Sequence, residues 1–253
     1  MRKNIYICII SLPFLFLSNL YAGPEKYDHL EAYKRAVVNA QGPAEELVQD
    51  AKGKPLAKAV YSYNEKKQIA EIKFYVNSSF DGKNIYIYDE SGLKKEELYD
   101  RNNKLVEKVV YSKNHLNQVT EFEVFDANNA SLLKWKFQYD DKRVASGSRY
   151  INNEMTEKFV NEYSSNGLVQ HIFVDTKEST GNITVSLSNS LVTKRIKKEP
   201  AGVHSIDYFY DKEGRIEKMI FSKLGETEVK VEKTHLFHYT VPYVVQPVKV
   251  TEH

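Results

Sequence analysis

The sequence predicts a mainly β protein: an antiparallel meander of repeated β-hairpins, about 14 strands, making an elongated or curled sheet behind one N-terminal helix. Three observations predict it. A tyrosine recurs ahead of a polar turn roughly every two dozen residues. A second set of Asp, Asn and Gly turns falls between these, which is the beat of a hairpin. The segments between turns alternate apolar and charged residues, as half-buried strands do.

Taken in order, residues 1–22 have the parts of a secretory signal: basic Arg2 and Lys3, an apolar run from Ile5 to Leu17, and small Ala22 before the expected cut. The run is short of the roughly 20 residues of a spanning helix. No later segment approaches its hydrophobicity, so no transmembrane helix is expected after cleavage. Cys8, the only cysteine, lies inside this leader. Gly23 stands where a lipoprotein needs cysteine. The mature chain therefore expects no disulfide, no thiolate catalysis and no Cys-ligated metal. Without Arg2 and Lys3 the formal charge of +2 falls to zero. A neutral, mixed surface excludes a nucleic-acid binder and a polybasic membrane-surface protein.

Residues 23–50 read as a helical cap. Tyr27, Leu30, Tyr33, Val37 and Val38 recur at three- and four-residue intervals after Pro24, and Gly42-Pro43 ends the run. Ala44 to Asp50 reads equally as another helical turn or as the first strand. The repeat domain spans 51–240. Its anchors are Tyr63, Tyr88, Tyr111, Tyr139, Tyr163 and Tyr210, with Leu187 to Leu191 holding the place of one lost copy. Between them, segments such as Leu133-Lys134-Trp135-Lys136-Phe137 put an apolar face opposite a charged one. Residues 241–253 carry Pro242 and Pro247 and read as an edge strand or extended tail.

Tyr210-Asp211-Lys212-Glu213-Gly214-Arg215-Ile216 resembles the Tyr-Asp-x-x-Gly-Arg-Leu signature of bacterial YD, or Rhs, repeats. Tyr88 to Leu93 keeps all of it but the arginine, and Tyr163 to Leu168 keeps the glycine and leucine. A looser likeness is to MORN-like hairpin repeats. The resemblance implies an exported or surface-associated strand array over roughly Val60 to Phe221. The chain has too few copies to close a toxin-enclosing shell.

No motif of catalysis stands out. There is no Gly-x-Ser-x-Gly elbow, no phosphate loop and no dinucleotide fingerprint. His235 and His238 cluster, yet residues three apart on a strand face opposite sides, so they suit a polar pair better than a metal. No enzyme activity, cofactor or metal is expected. The repeated tyrosines Tyr63, Tyr88, Tyr111, Tyr139, Tyr163 and Tyr210 are the binding candidates: exposed, they stack on sugars or grip an apolar partner; packed, they fix strand register. The leading expectation is an exported non-enzymatic binding or scaffolding module of the periplasm or cell surface, with an unknown protein, glycan or lipid partner. The alternatives are a periplasmic half-barrel lipid carrier and an outer-membrane β-barrel.

Overall fold

Six turns of one design set the strand lengths. Asp50, Asn64, Asp100, Asn114, Asp126 and Asp211 each open a turn in which the backbone N–H bonds the carbonyl four residues on. The side-chain oxygen of each accepts backbone N–H groups within the turn. The fourth residue takes positive φ in all six: Gly53, Lys67, Asn103, Asn117, Asn129 and Gly214. Glycine and asparagine tolerate that region, which explains the recurring Asp-x-x-Gly and Asp-x-x-Asn spelling. Two tighter turns use Asn77-Ser78 and Asn152-Asn153, both residues of each at positive φ, as two-residue hairpins require.

The computed structural model describes residues 42–141, 143–174, 180–188 and 191–239. The expected leader, the helix over 24–40 and the tail over 241–253 lie outside these residues. The strands are β1 (Glu45–Asp50), β2 (Pro55–Tyr63), β3 (Ile69–Val76), β4 (Ser79–Asp89), β5 (Gly92–Asp100), β6 (Leu105–Lys113), β7 (Val119–Asp126) and β8 (Ser131–Asp140). They continue as β9 (Arg143–Ile151), β10 (Glu154–Ser164), β11 (Gly167–Phe173), β12 (Gly181–Ser188), β13 (Leu191–Glu199), β14 (Gly202–Tyr210), β15 (Ile216–Leu224) and β16 (Val229–His238). Each pairs antiparallel with the next, and β1 pairs with β16, so the meander closes into a barrel.

This corrects two expectations. The sheet is closed into a barrel rather than elongated or merely curled, because joining β1 to β16 removes two unpaired edges. It has sixteen strands: Tyr239, packed at the end of the last hairpin, is an anchor that no polar turn follows, so the repeat count missed it. Of the two readings left open for Ala44 to Asp50, residues 45–50 take the strand and close the ring; the strand's N-terminal anchor is the bond from Ala44 N–H to the His238 carbonyl at 2.7 Å. Among the described residues there is no helix.

Alternation decides which face looks inward. Side chains on a convex single wall diverge and stay wet; those on the concave side converge. Trp135 and Phe159, 2% and 1% exposed, are therefore inside. Register carries that face around the ring through Tyr61, Ile72, Phe122, Trp135, Ile206, Met219 and His235. Three aromatic and aliphatic clusters line it, on β2–β4, β6–β10 and β14–β16. In the second, Trp135 stacks on Phe137 with ring centres 6.1 Å apart, and Phe122 and Phe159 close around them. Gly147 lies against Phe159 and Phe137, where a Cβ would come within 2.2 Å of a Phe159 ring carbon.

Candidate functional site

Strand spacing of about 4.8 Å and a tilt near 40° make a round sixteen-strand ring on the order of 30 Å across, backbone to backbone. Sixteen-stranded walls are wide enough to enclose a channel or a guest. The lumen is the candidate site. Ring contacts of its lining run within one strand, as Trp135 with Phe137 on β8, or between neighbouring and next-but-one strands, as Trp135 on β8 with Phe159 on β10.

Polar side chains interrupt the apolar lining in local sets. On the closing seam, the Tyr61 hydroxyl donates to Glu46 Oε2 at 2.6 Å, and Glu46 Oε1 bonds His235 Nδ1. Fifty residues on, the same arrangement recurs: the Tyr111 hydroxyl donates to Glu96, and the Asn84 amide donates to it at 3.2 Å. Arg195 on β13 is buried on the same inner face, 3% exposed. Burial pulls its pKa below the ordinary value, against the opposing pull of the Tyr208 hydroxyl beside it.

One mouth is aromatic. Even-numbered strands end there, and a register shift precedes the anchors Tyr63, Tyr88, Tyr139 and Tyr210. Tyr63, Tyr139, Tyr210 and Tyr239 pack on the inner clusters, and each anchor hydroxyl donates to the carbonyl just ahead of or near the start of the neighbouring strand. Tyr63 donates to Pro43, Tyr88 to Ile69, Tyr139 to Val119, Tyr163 to Val144, Tyr210 to Val192 and Tyr239 to Ile216, all at 2.7–2.9 Å. Burial raises the pKa values of Tyr63, Tyr88 and Tyr239, which keeps these donors protonated.

Five of the six sequence-chosen tyrosines thus meet at this mouth. Tyr111 does not. It aligns with Tyr61, two residues deeper, and Lys113 takes the anchor place, its ammonium donating to the Ser91 carbonyl. The spelling Val-Tyr-Ser-Tyr-Asn at 60–64 against Val-Tyr-Ser-Lys-Asn at 110–114 carried that alignment. Sequence reasoning missed Glu46, Glu96, Arg195 and His235 as luminal groups, since each sits among ordinary charged residues on its strand.

The opposite mouth inverts the pattern. Its lining is charged: Arg149 lies 3.5 Å from Glu157 and Lys197 2.8 Å from Glu199. Burial raises Glu107 and Glu157 above the ordinary carboxyl range. Outside, large apolar side chains are exposed at this rim: Leu56, Val106, Leu132, Met155 and Val229. Between the mouths the outer wall carries ladders of opposite charge. Lys134 reaches Glu123 and Glu121 at 3.2 and 3.5 Å, Lys95 reaches Glu97 at 2.6 Å, and Lys58 reaches Glu45 at 3.0 Å.

No family model matches the chain, and no curated protein does. Among solved structures the chain is similar to a porin-like protein from Bacteroides uniformis, with a TM-score of 0.54 and 12% identity, over 78% of this chain and 96% of that one. At that identity the likeness shows the fold alone. A protein of unknown function from Bacteroides fragilis aligns with a TM-score of 0.26 and 14% identity, over 51% of this chain and 91% of that one, and carries no argument.

Proposed function

We propose that this chain is a non-enzymatic barrel of the bacterial cell envelope that shelters an elongated apolar guest in its lumen. One observation carries the reading: the wall carries its buried aromatic clusters inside, interrupted by local polar sets, and bears Lys–Glu ladders outside. A lipid-facing wall has the reverse polarity. Each Lys or Arg placed at a bilayer midplane on such a wall costs about 2–4 kcal/mol. The closed wall favours the carrier expectation, as a full barrel rather than a half-barrel, over an open repeat scaffold. The apolar rim around Leu56, Val106 and Leu132 is the part suited to touch a membrane surface, where a guest is taken up or released.

A second reading is a barrel of the outer membrane. Strand number and the likeness to the porin-like protein favour it. No helix among the described residues is long and apolar enough to cross a membrane, which leaves a strand-built crossing untouched.

The test is purification of the mature chain without detergent, then organic extraction and mass spectrometry. A soluble barrel releasing a lipid in fixed ratio is the expected result. A protein recovered only in detergent, with no lipid held inside, would establish the second reading.

A further inference from the structure

Among the described residues, the indole Nε1–H of Trp135 and Nε2 of His235 are buried on the inner face with no hydrogen-bond partner. Both side chains are closed off, Trp135 at 2% exposure and His235 at 0%. Register turns both inward, Trp135 opposite Phe122 and His235 opposite Met219 and Val48. Their strands, β8 and β16, are eight apart in a ring of sixteen, so they stand on facing walls.

Neither orphan is rescued locally. Trp135 is ringed by Phe122, Phe137 and Phe159, none of which accepts a hydrogen bond. His235 has Glu46 at Nδ1, and Tyr61 donates to the other oxygen of that carboxylate. The Glu46 carboxylate thus occupies Nδ1, and Nε2 is left facing the lumen without a protein partner. A buried polar group without a partner costs about 1–3 kcal/mol, and native interiors retain few of them. An indole donor and an imidazole nitrogen left unmet on the two walls of one lumen describe what the missing partner offers.

We propose that Trp135 and His235 are hydrogen-bonding stations for an uncharged, oxygen-bearing lipid. Trp135 donates to an ester or ether oxygen, and His235 Nε2 bonds a hydroxyl, which can donate or accept. The inference rests on the sheltering role above and narrows the guest from any apolar chain to one with oxygen atoms along it. A bare hydrocarbon fills the same space and leaves both stations unmet.

Trp135 is the chain's single tryptophan, so its emission reports the lumen directly. The full mature chain, stripped of lipid, is titrated with three brominated probes of matched length: an alkane, a fatty methyl ester and a fatty alcohol. The ester and the alcohol are expected to quench Trp135 at concentrations about tenfold below the alkane, the difference one hydrogen bond makes. His235→Phe should remove the alcohol's advantage and spare the ester's. Trp135→Phe, followed by displacement of a naphthylamine dye, should do the converse. The wild-type comparison stands whether or not either variant folds. Equal quenching by all three probes overturns the stations while leaving the sheltering role intact. No quenching by any probe removes the sheltering role itself, and the stations with it.

Discussion

The two mouths of the barrel are built from the same hairpin and turned to opposite ends. At the tyrosine mouth the aromatic side chains point inward and spend their hydroxyls on the neighbouring strand. At the other mouth the lining is charged, and Leu56, Val106 and Leu132 are exposed outside. Both mouths carry bulges. Near the tyrosine mouth the residue skipped in pairing is Ala70, Lys94, Thr120, Ala145, Thr193 or Glu217. Near the opposite mouth it is Leu56, Val106 or Leu132 on three strands and Asp81, Thr156 or Glu232 on three others. One extra residue on a strand re-aims a side chain, and only at the second mouth do large apolar residues occupy such places, which makes that rim sticky.

If the inner aromatic wall holds the fold and the sticky rim serves contact, truncation must separate them. Phe159→Ala is expected to lose about 3–5 kcal/mol in urea denaturation, because Trp135 and Phe137 cannot close the space. Gly147→Ala pushes a methyl into Phe159 and should lose about 1–3 kcal/mol. The triple change of Leu56, Val106 and Leu132 to Ser should leave the urea midpoint nearly unmoved and abolish flotation with lipid vesicles. A large stability loss at the rim, or unchanged flotation, would break the assignment of the two ends.

The tyrosine mouth makes a finer test. Phe in place of Tyr88, Tyr139 or Tyr210 removes one hydroxyl-to-carbonyl bond each, worth about 1 kcal/mol. Tyr111→Phe should differ in kind, since it takes a donor from the buried Glu96 carboxylate. Its loss should exceed that of any mouth tyrosine in the same denaturation series.

Much of this fold was legible in the chain. The turns announce themselves through Asp and Asn, whose side chains hold the loop, and through glycine or asparagine at the one left-handed position. Lys67 is the exception, at φ 61 with no spelling to reveal it. The Tyr-Asp-x-x-Gly-Arg spelling also has a local meaning: Arg215 bonds Asp211 at 2.6 Å and lies 4.5 Å over the Tyr239 ring. Closure was not legible. It depends on β1 meeting β16 across almost the whole chain, and nothing in Glu45–Asp50 distinguishes a closing strand from a helical turn. The site was half legible. Periodicity found the tyrosines, whereas the inward aim of Glu46 and His235 follows from register that only the closed ring fixes. The split of His235 from His238 was readable, and the structure has His235 buried and His238 exposed.

The charged lining of the second mouth gives the smallest effect and one of opposite sign. Burial raises the pKa of Glu107, so the folded chain favours the protonated carboxyl more than the unfolded chain does. Below the ordinary glutamate value, about 4.3, both states are protonated and the group costs nothing. As pH rises through the raised value the folded state must hold a desolvated charge, and stability falls. Glu107→Gln removes that charge and should stabilise the barrel at neutral pH. The gain should shrink on acidification and vanish below about pH 4. Urea titrations of both proteins at neutral and acid pH measure it. A gain that persists in acid would mean that shape rather than charge sets the cost, and the second mouth would then differ from the first in side-chain size alone.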